Sequence, residues 1–77
     1  MDATPSTAEL AAAELAPLTP REREVLVLTC KGLVSAEVGA ALGITAKGVE
    51  RLKANARHRL GMRTIELAVL AAKAEWV

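Results

Sequence analysis

Lys47, Glu50, Arg51, Lys53, Asn55, Arg57 and His58 all fall within one short stretch, ITAKGVERLKANARHRLG, which runs from Ile44 to Gly61. These residue types hydrogen-bond nucleic acid. Arg matches the acceptors of guanine, Asn matches adenine, Glu accepts from the cytosine amino group, and the basic side chains attract phosphate. Thr45 can cap a helix at one end of the stretch and Gly61 can stop it at the other. A helix from Ala46 to Leu60, turning about 100° per residue, puts Val49, Leu52, Ala56 and Leu60 on one side. Lys47, Arg51, Ala54 and His58 then centre the opposite side, with Glu50 and Arg57 on one edge and Gly48 and Asn55 on the other. Two residues do not fit a phosphate-seeking surface. Gly48 is a weak helix former in the first turn, and Glu50 repels a phosphate.

A basic helix face is also what an ordinary solvated surface looks like, so the elements around it matter. SAEVGAAL (35–42) reads as a short helix, thin at Gly39, Ala40 and Ala41, and LGIT then turns the chain into the basic helix. Two helices joined by about four residues, the second basic, describe a helix-turn-helix. Upstream, LTPREREVLVLTCKG opens a helix with Thr19 as cap, Pro20 in the first position, Glu22 closing a capping box and Gly32 at the end. Downstream, a helix from Thr64 to about Trp76 is apolar on two sides: Ile65, Ala68, Val69, Ala72 and Trp76 on one, Leu67, Leu70, Ala71 and Ala74 on the other. A helix apolar on both sides must be covered on both. One side is expected to face the core and the other, assigned to Leu67, Leu70, Ala71 and Ala74, a second copy of the chain. Residues 1–17 read as a flexible arm, with Ser6 and Glu9 at capping-box spacing for a short helix that persists only if it docks. Residues 18–77 form the domain.

Composition narrows the field further. The chain has 77 residues, enough for one small domain that would gain from a partner. Trp76 is the only aromatic residue, so the core must be Leu, Val, Ile and Ala, and the fold is expected to be all-α. Cys30 is the only cysteine and reads as a small apolar filler, without a disulfide or a thiolate metal site. The single histidine, His58, argues against a metal centre. No cofactor is expected, and the absence of a nucleophile–base pair argues against an enzyme. With no apolar run long enough to span a membrane, the chain reads as soluble and cytoplasmic, at the nucleoid where it meets DNA. The charge is divided unevenly: residues before Thr45 carry three basic and six acidic side chains, and those from Thr45 onward carry seven and three. The net +1 is thus −3 followed by +4, with the positive part concentrated on one helix.

These segments together carry a family resemblance. LTPREREVLVLTCKGL, EVGAALGITAKGV and LGMRTIELAVLAA resemble the DNA-binding domain of the LuxR/NarL/GerE family of bacterial transcription regulators, over Leu18 to about Ala72. The resemblance implies a four-helix domain whose basic helix enters the major groove of double-stranded DNA and whose last helix makes a homodimer. It places base-facing positions on Glu50, Arg51 and Ala54. The chain departs from the family pattern where Gly48 replaces a phosphate-holding threonine, Glu50 a basic reader, Leu52 a histidine and Ala56 a larger apolar residue. ALGITAKGV and ANARHRL are also similar to the promoter-reading helix-turn-helix of sigma factors, but the doubly apolar last helix favours the first family.

The resulting expectation is a DNA-binding regulator. Arg51, Lys47, Asn55 and Glu50 read bases, while Lys53, Arg57, His58 and Thr45 hold phosphates. The alternative is a degenerate helix-turn-helix that binds another regulator or RNA polymerase. An exposed Leu52 would favour that alternative. A Leu52 packed beside Val49 would not. No receiver or ligand-binding domain is encoded in these residues, so an input signal is expected from another protein or from expression level.

Overall fold

The helix starts follow from local hydrogen bonding. Ser6 Oγ accepts from the Glu9 N–H at 3.1 Å while Glu9 accepts from the Ser6 N–H at 2.9 Å. Thr19 and Glu22 repeat the exchange at 3.2 and 2.9 Å. Each pair satisfies two backbone donors that a helix start leaves open. Two later helices begin without a hydroxyl cap. There, Glu37 and Glu66 reach back to the Val34 and Arg63 N–H groups, both at 2.9 Å. In the computed structural model, which describes residues 4–77, these signals produce five helices: α1 (Thr7–Leu15), α2 (Pro20–Cys30), α3 (Ser35–Leu42), α4 (Ala46–Leu60) and α5 (Thr64–Lys73). No strand occurs among the described residues, so the all-α expectation holds.

Two apolar clusters hold the helices together, and α2 and α4 contribute to both. Val25, Val38 and Val49 form one, where α2, α3 and α4 meet, with Leu28, Leu33, Leu42, Ile44 and Leu52 around them. Leu15, Leu26, Ala56, Leu67 and Ala71 form the other, where α1, α2, α4 and α5 meet. Cys30 lies half-buried at the edge of this second cluster, and burial pushes its thiol pKa up, in keeping with an apolar filler.

Three expectations change. The arm contains a docked helix: α1 packs along α5 and buries Ala11 and Leu15, the latter to 1% exposure. The domain therefore has five helices where four were expected. The first three positions of the arm lie outside the described residues. Second, α5 stops at Lys73. Glu75 takes a left-handed turn (φ 63°), and Trp76 packs against the second cluster with the Arg23 guanidinium 4.1 Å from its ring centre.

The third correction reverses the faces of α5. Leu67 is 2% exposed and Ala71 is fully buried, while Leu70 and Ala74 are half-buried against the same cluster. None of the four forms an outer face. Ile65 and Val69, on the opposite side, are 64% and 47% exposed. The reason is α1. Two helices, α1 and α2, pack on α5 from the Leu67–Ala71 side and claim it for the core.

Glu22 does more than cap. It is buried, and its carboxylate accepts a hydrogen bond from Arg59 near the end of α4, tying the start of α2 to α4. Burial alone would raise the Glu22 pKa, but the Thr19 N–H and the Arg59 guanidinium outweigh it and hold the carboxyl below the usual 4.5. A depressed folded-state value means that the contribution is complete above the unfolded carboxylate range and is lost as pH falls through the folded one. Glu22→Gln keeps an acceptor for the Thr19 N–H and removes only the charge. It should cost about 1–2 kcal/mol at neutral pH and less in acid, because a hydrogen bond to a charged group is worth about 1.5–3 kcal/mol and Arg59 can partly rehydrate. Thermal melts of both chains from pH 7 to pH 3 check this, and parallel curves would contradict it.

Candidate nucleic-acid interface

Gly39 lets α3 and the following turn meet. A Cβ at Gly39 would lie 2.5 Å from the Ile44 carbonyl oxygen, and the Ile44 N–H donates back to the Gly39 carbonyl at 2.9 Å. The turn thus lies on the helix it leaves, through a backbone contact that a side chain would block. Gly43 ends α3 in the left-handed region (φ 73°), where glycine carries no steric cost. Thr45 then caps α4, its Oγ1 accepting from the Gly48 N–H at 3.0 Å. Val38 and Val49, both fully buried, fix the rotation of α4 against α3. Leu52 packs half-buried against this cluster, so it is part of the interior surface of α4.

The opposite face matches the periodicity. Thr45, Lys47, Glu50, Arg51, Asn55, Arg57 and His58 are exposed, and Ala54 and Lys53 are half-buried. Thr45, Lys47, Gly48 and Arg51 line a shallow cavity of about 180 Å³ at the start of α4. A Cβ on Gly48 would meet Thr45 Oγ1 at 3.3 Å, so the glycine leaves the cap uncrowded. At the other end, Arg57, His58, Gly61, Met62 and Arg63 line an open depression of about 440 Å³. Arg63 extends the basic surface beyond α4, and the sequence reading gave it no role. Its place in the LGMRT segment, just past the helix stop, was the available signal.

Two of the basic residues on α4 turn inward. The Arg59 guanidinium is bound to Glu22. Lys53 Nζ lies 3.2 Å from Ser35 Oγ and 3.4 Å from Glu50 Oε2, and its side chain is largely covered. Ser35 in turn donates to Glu50 Oε2. The Ser35 hydroxyl foremost, with the Lys53 charge, holds the Glu50 carboxyl below its usual pKa, so it remains ionised at neutral pH. Lys47, Arg51 and Arg57 remain as the outward cations of α4. Among the described residues, no group of His, Cys, Asp or Glu is arranged to hold a metal ion, and no helix is long and apolar enough to cross a membrane.

Residues 16–72, which span α2 to α5 almost entirely, match the family of bacterial regulatory proteins designated luxR. The chain belongs to the LuxR family. Two relatives illustrate the relationship. The transcriptional regulatory protein MctR of Rhizobium johnstonii is 42% identical over 48 residues, which cover 62% of this chain and 22% of MctR. The transcriptional regulatory protein UhpA of Salmonella typhimurium is 40% identical over 67 residues, covering 84% of this chain and 34% of UhpA. The chain therefore spans about a third of the length of UhpA and less of MctR. No solved structure matches it significantly. This LuxR family is one of regulators and not of catalysts, in agreement with the expectation from the sequence.

Proposed function

We propose that this chain is the DNA-binding unit of a bacterial transcription regulator, with α4 in the major groove of double-stranded DNA and two copies joined through α5. The observation that carries the reading is the outward face of α4. Lys47, Arg51 and Asn55 stand exposed on a helix whose other side is locked into the core. The major groove, about 12 Å wide, admits such a helix. Arg51, Lys47 and Asn55, with Glu50, address base edges, while Arg57, His58, Thr45 and Arg63 address phosphates. Lys53 leaves the phosphate set, because its amino group is held by Ser35 and Glu50. Membership in the LuxR family and the regulators among its relatives support the same reading.

The rival is a degenerate helix-turn-helix that binds another regulator or RNA polymerase, and an exposed Leu52 would have favoured it; Leu52 instead packs half-buried against the Val25, Val38 and Val49 cluster. An exposed apolar surface that suits a second copy is the Ile65–Val69 side of α5. In a dimer, half-sites should lie about 34 Å apart, one helical turn of DNA. Duplex binding should fall steeply with salt. Arg57 and Arg63 are the cations of the phosphate set, and the four of them in a dimer predict a loss of roughly 10²-fold between 50 and 200 mM, because each neutralised phosphate releases condensed counterions. Affinity that ignores salt would sink the phosphate-contact reading.

A further inference from the structure

Ser35 is the first residue of α3 and Glu50 lies in the second turn of α4, so their contact links the two helices of the helix-turn-helix at the edge of the candidate surface. Glu50 Oε2 receives both the Ser35 hydroxyl and the Lys53 ammonium. No hydrogen bond to Oε1 occurs among the described residues, and the side chain is 60% exposed. One oxygen of the carboxylate is thus anchored, and the other makes no hydrogen bond within the chain's described residues. We propose that Ser35 and Lys53 position Glu50 as a fixed acceptor that selects a cytosine amino group at one base pair. The assignment rests on the DNA-binding reading above.

Two features lead to this assignment. An ionised carboxylate has no donor and repels phosphate, so Glu50 itself cannot hold the sugar–phosphate backbone that Arg57, farther along the same edge, addresses. Over a base edge in the major groove, the donor that suits a carboxylate is the cytosine N4 amino group. Guanine and thymine present acceptors there, and adenine sets its N7 acceptor beside its amino group, so all three face the carboxylate less favourably than cytosine does. The second feature is anchoring. A free glutamate samples several rotamers and discriminates weakly, whereas one tied at Oε2 has lost that freedom before binding. The Lys53 charge beside it keeps the local field from repelling the DNA as a whole.

The test is selection of random-sequence duplexes by the intact chain, followed by competition binding. Wild type should enrich cytosine at one position of each half-site, with about tenfold preference over other bases, the usual cost of a single mismatch. Glu50→Gln should move that position toward adenine, which a glutamine amide pairs through N6 and N7. Ser35→Ala should keep cytosine but narrow the preference to about two- to threefold, with unchanged affinity for non-specific duplex and unchanged melting temperature. Ser35→Thr, which restores a hydroxyl, should recover it. Identical enrichment profiles for wild type and Glu50→Gln would overturn the assignment, and an unaltered preference in Ser35→Ala would overturn the positioning role. If wild type enriches no sequence and binds duplex without salt dependence, the DNA-reading function falls as well. A salt-dependent binder with no cytosine position overturns this assignment alone.

Discussion

Leu67→Ala should unfold this domain at moderate temperature, while Ile65→Ser with Val69→Ser should leave it folded and separate the proposed dimer. Leu67 is 2% exposed and shares a cluster with Leu15, Leu26, Ala56 and Ala71. Truncating such a leucine removes its transfer free energy and leaves a cavity, together about 2–5 kcal/mol. A domain of this length has only about 4–12 kcal/mol of stability in total. Each kcal/mol is worth about 4–8 °C of Tm at this size, so a drop of more than 10 °C is expected. Ile65 and Val69 contribute little to the monomer because they face solvent. Calorimetry and sedimentation on the two variants separate the faces of α5. A folded, monomeric Leu67→Ala beside a dimeric Ile65→Ser/Val69→Ser would reverse the assignment made here.

Arg51→Ala should cost about 1–3 kcal/mol of specific DNA affinity, roughly 10- to 100-fold, and relax the preference at one base pair. The melting temperature should not move, because Arg51 is exposed and makes no ion pair among the described residues. Arg59→Ala makes the opposing control. It leaves the Glu22 carboxylate buried without its cation, so its cost should appear in stability and not in discrimination between duplexes. Gel shifts against a selected duplex and a random one, beside melts of both variants, distinguish the two arginines. Equal affinity of Arg51→Ala and wild type for the selected duplex would remove Arg51 as a reader.

The sequence carried much of this because its signals are local. Thr19, Pro20 and Glu22 specify a helix start within four residues, and Gly43 and Gly61 specify helix stops through their own backbone freedom. The α3 and α4 boundaries, Ser35–Leu42 and Ala46–Leu60, were legible for the same reason. The 3.6-residue period also separated Val49 and Ala56 from Lys47 and Arg51, because any helix with one apolar stripe buries that stripe. The candidate surface could therefore be drawn before its surroundings were known.

What required the tertiary structure was every choice between chemically equivalent alternatives. Periodicity gave α5 two apolar faces and no means of ranking them, and α1, a segment too short to be stable alone, decided the matter by docking on one of them. Composition likewise made Lys47, Lys53, Arg51 and Arg59 equally basic. Lys53 and Arg59 turn inward only because Ser35 and Glu22, distant in sequence, arrive beside them. Local hydrogen bonds and helical period are properties of neighbouring residues and can be read along the chain. Which face is covered, and which charge is paired, depends on contacts between distant segments, and those exist only once the helices have packed.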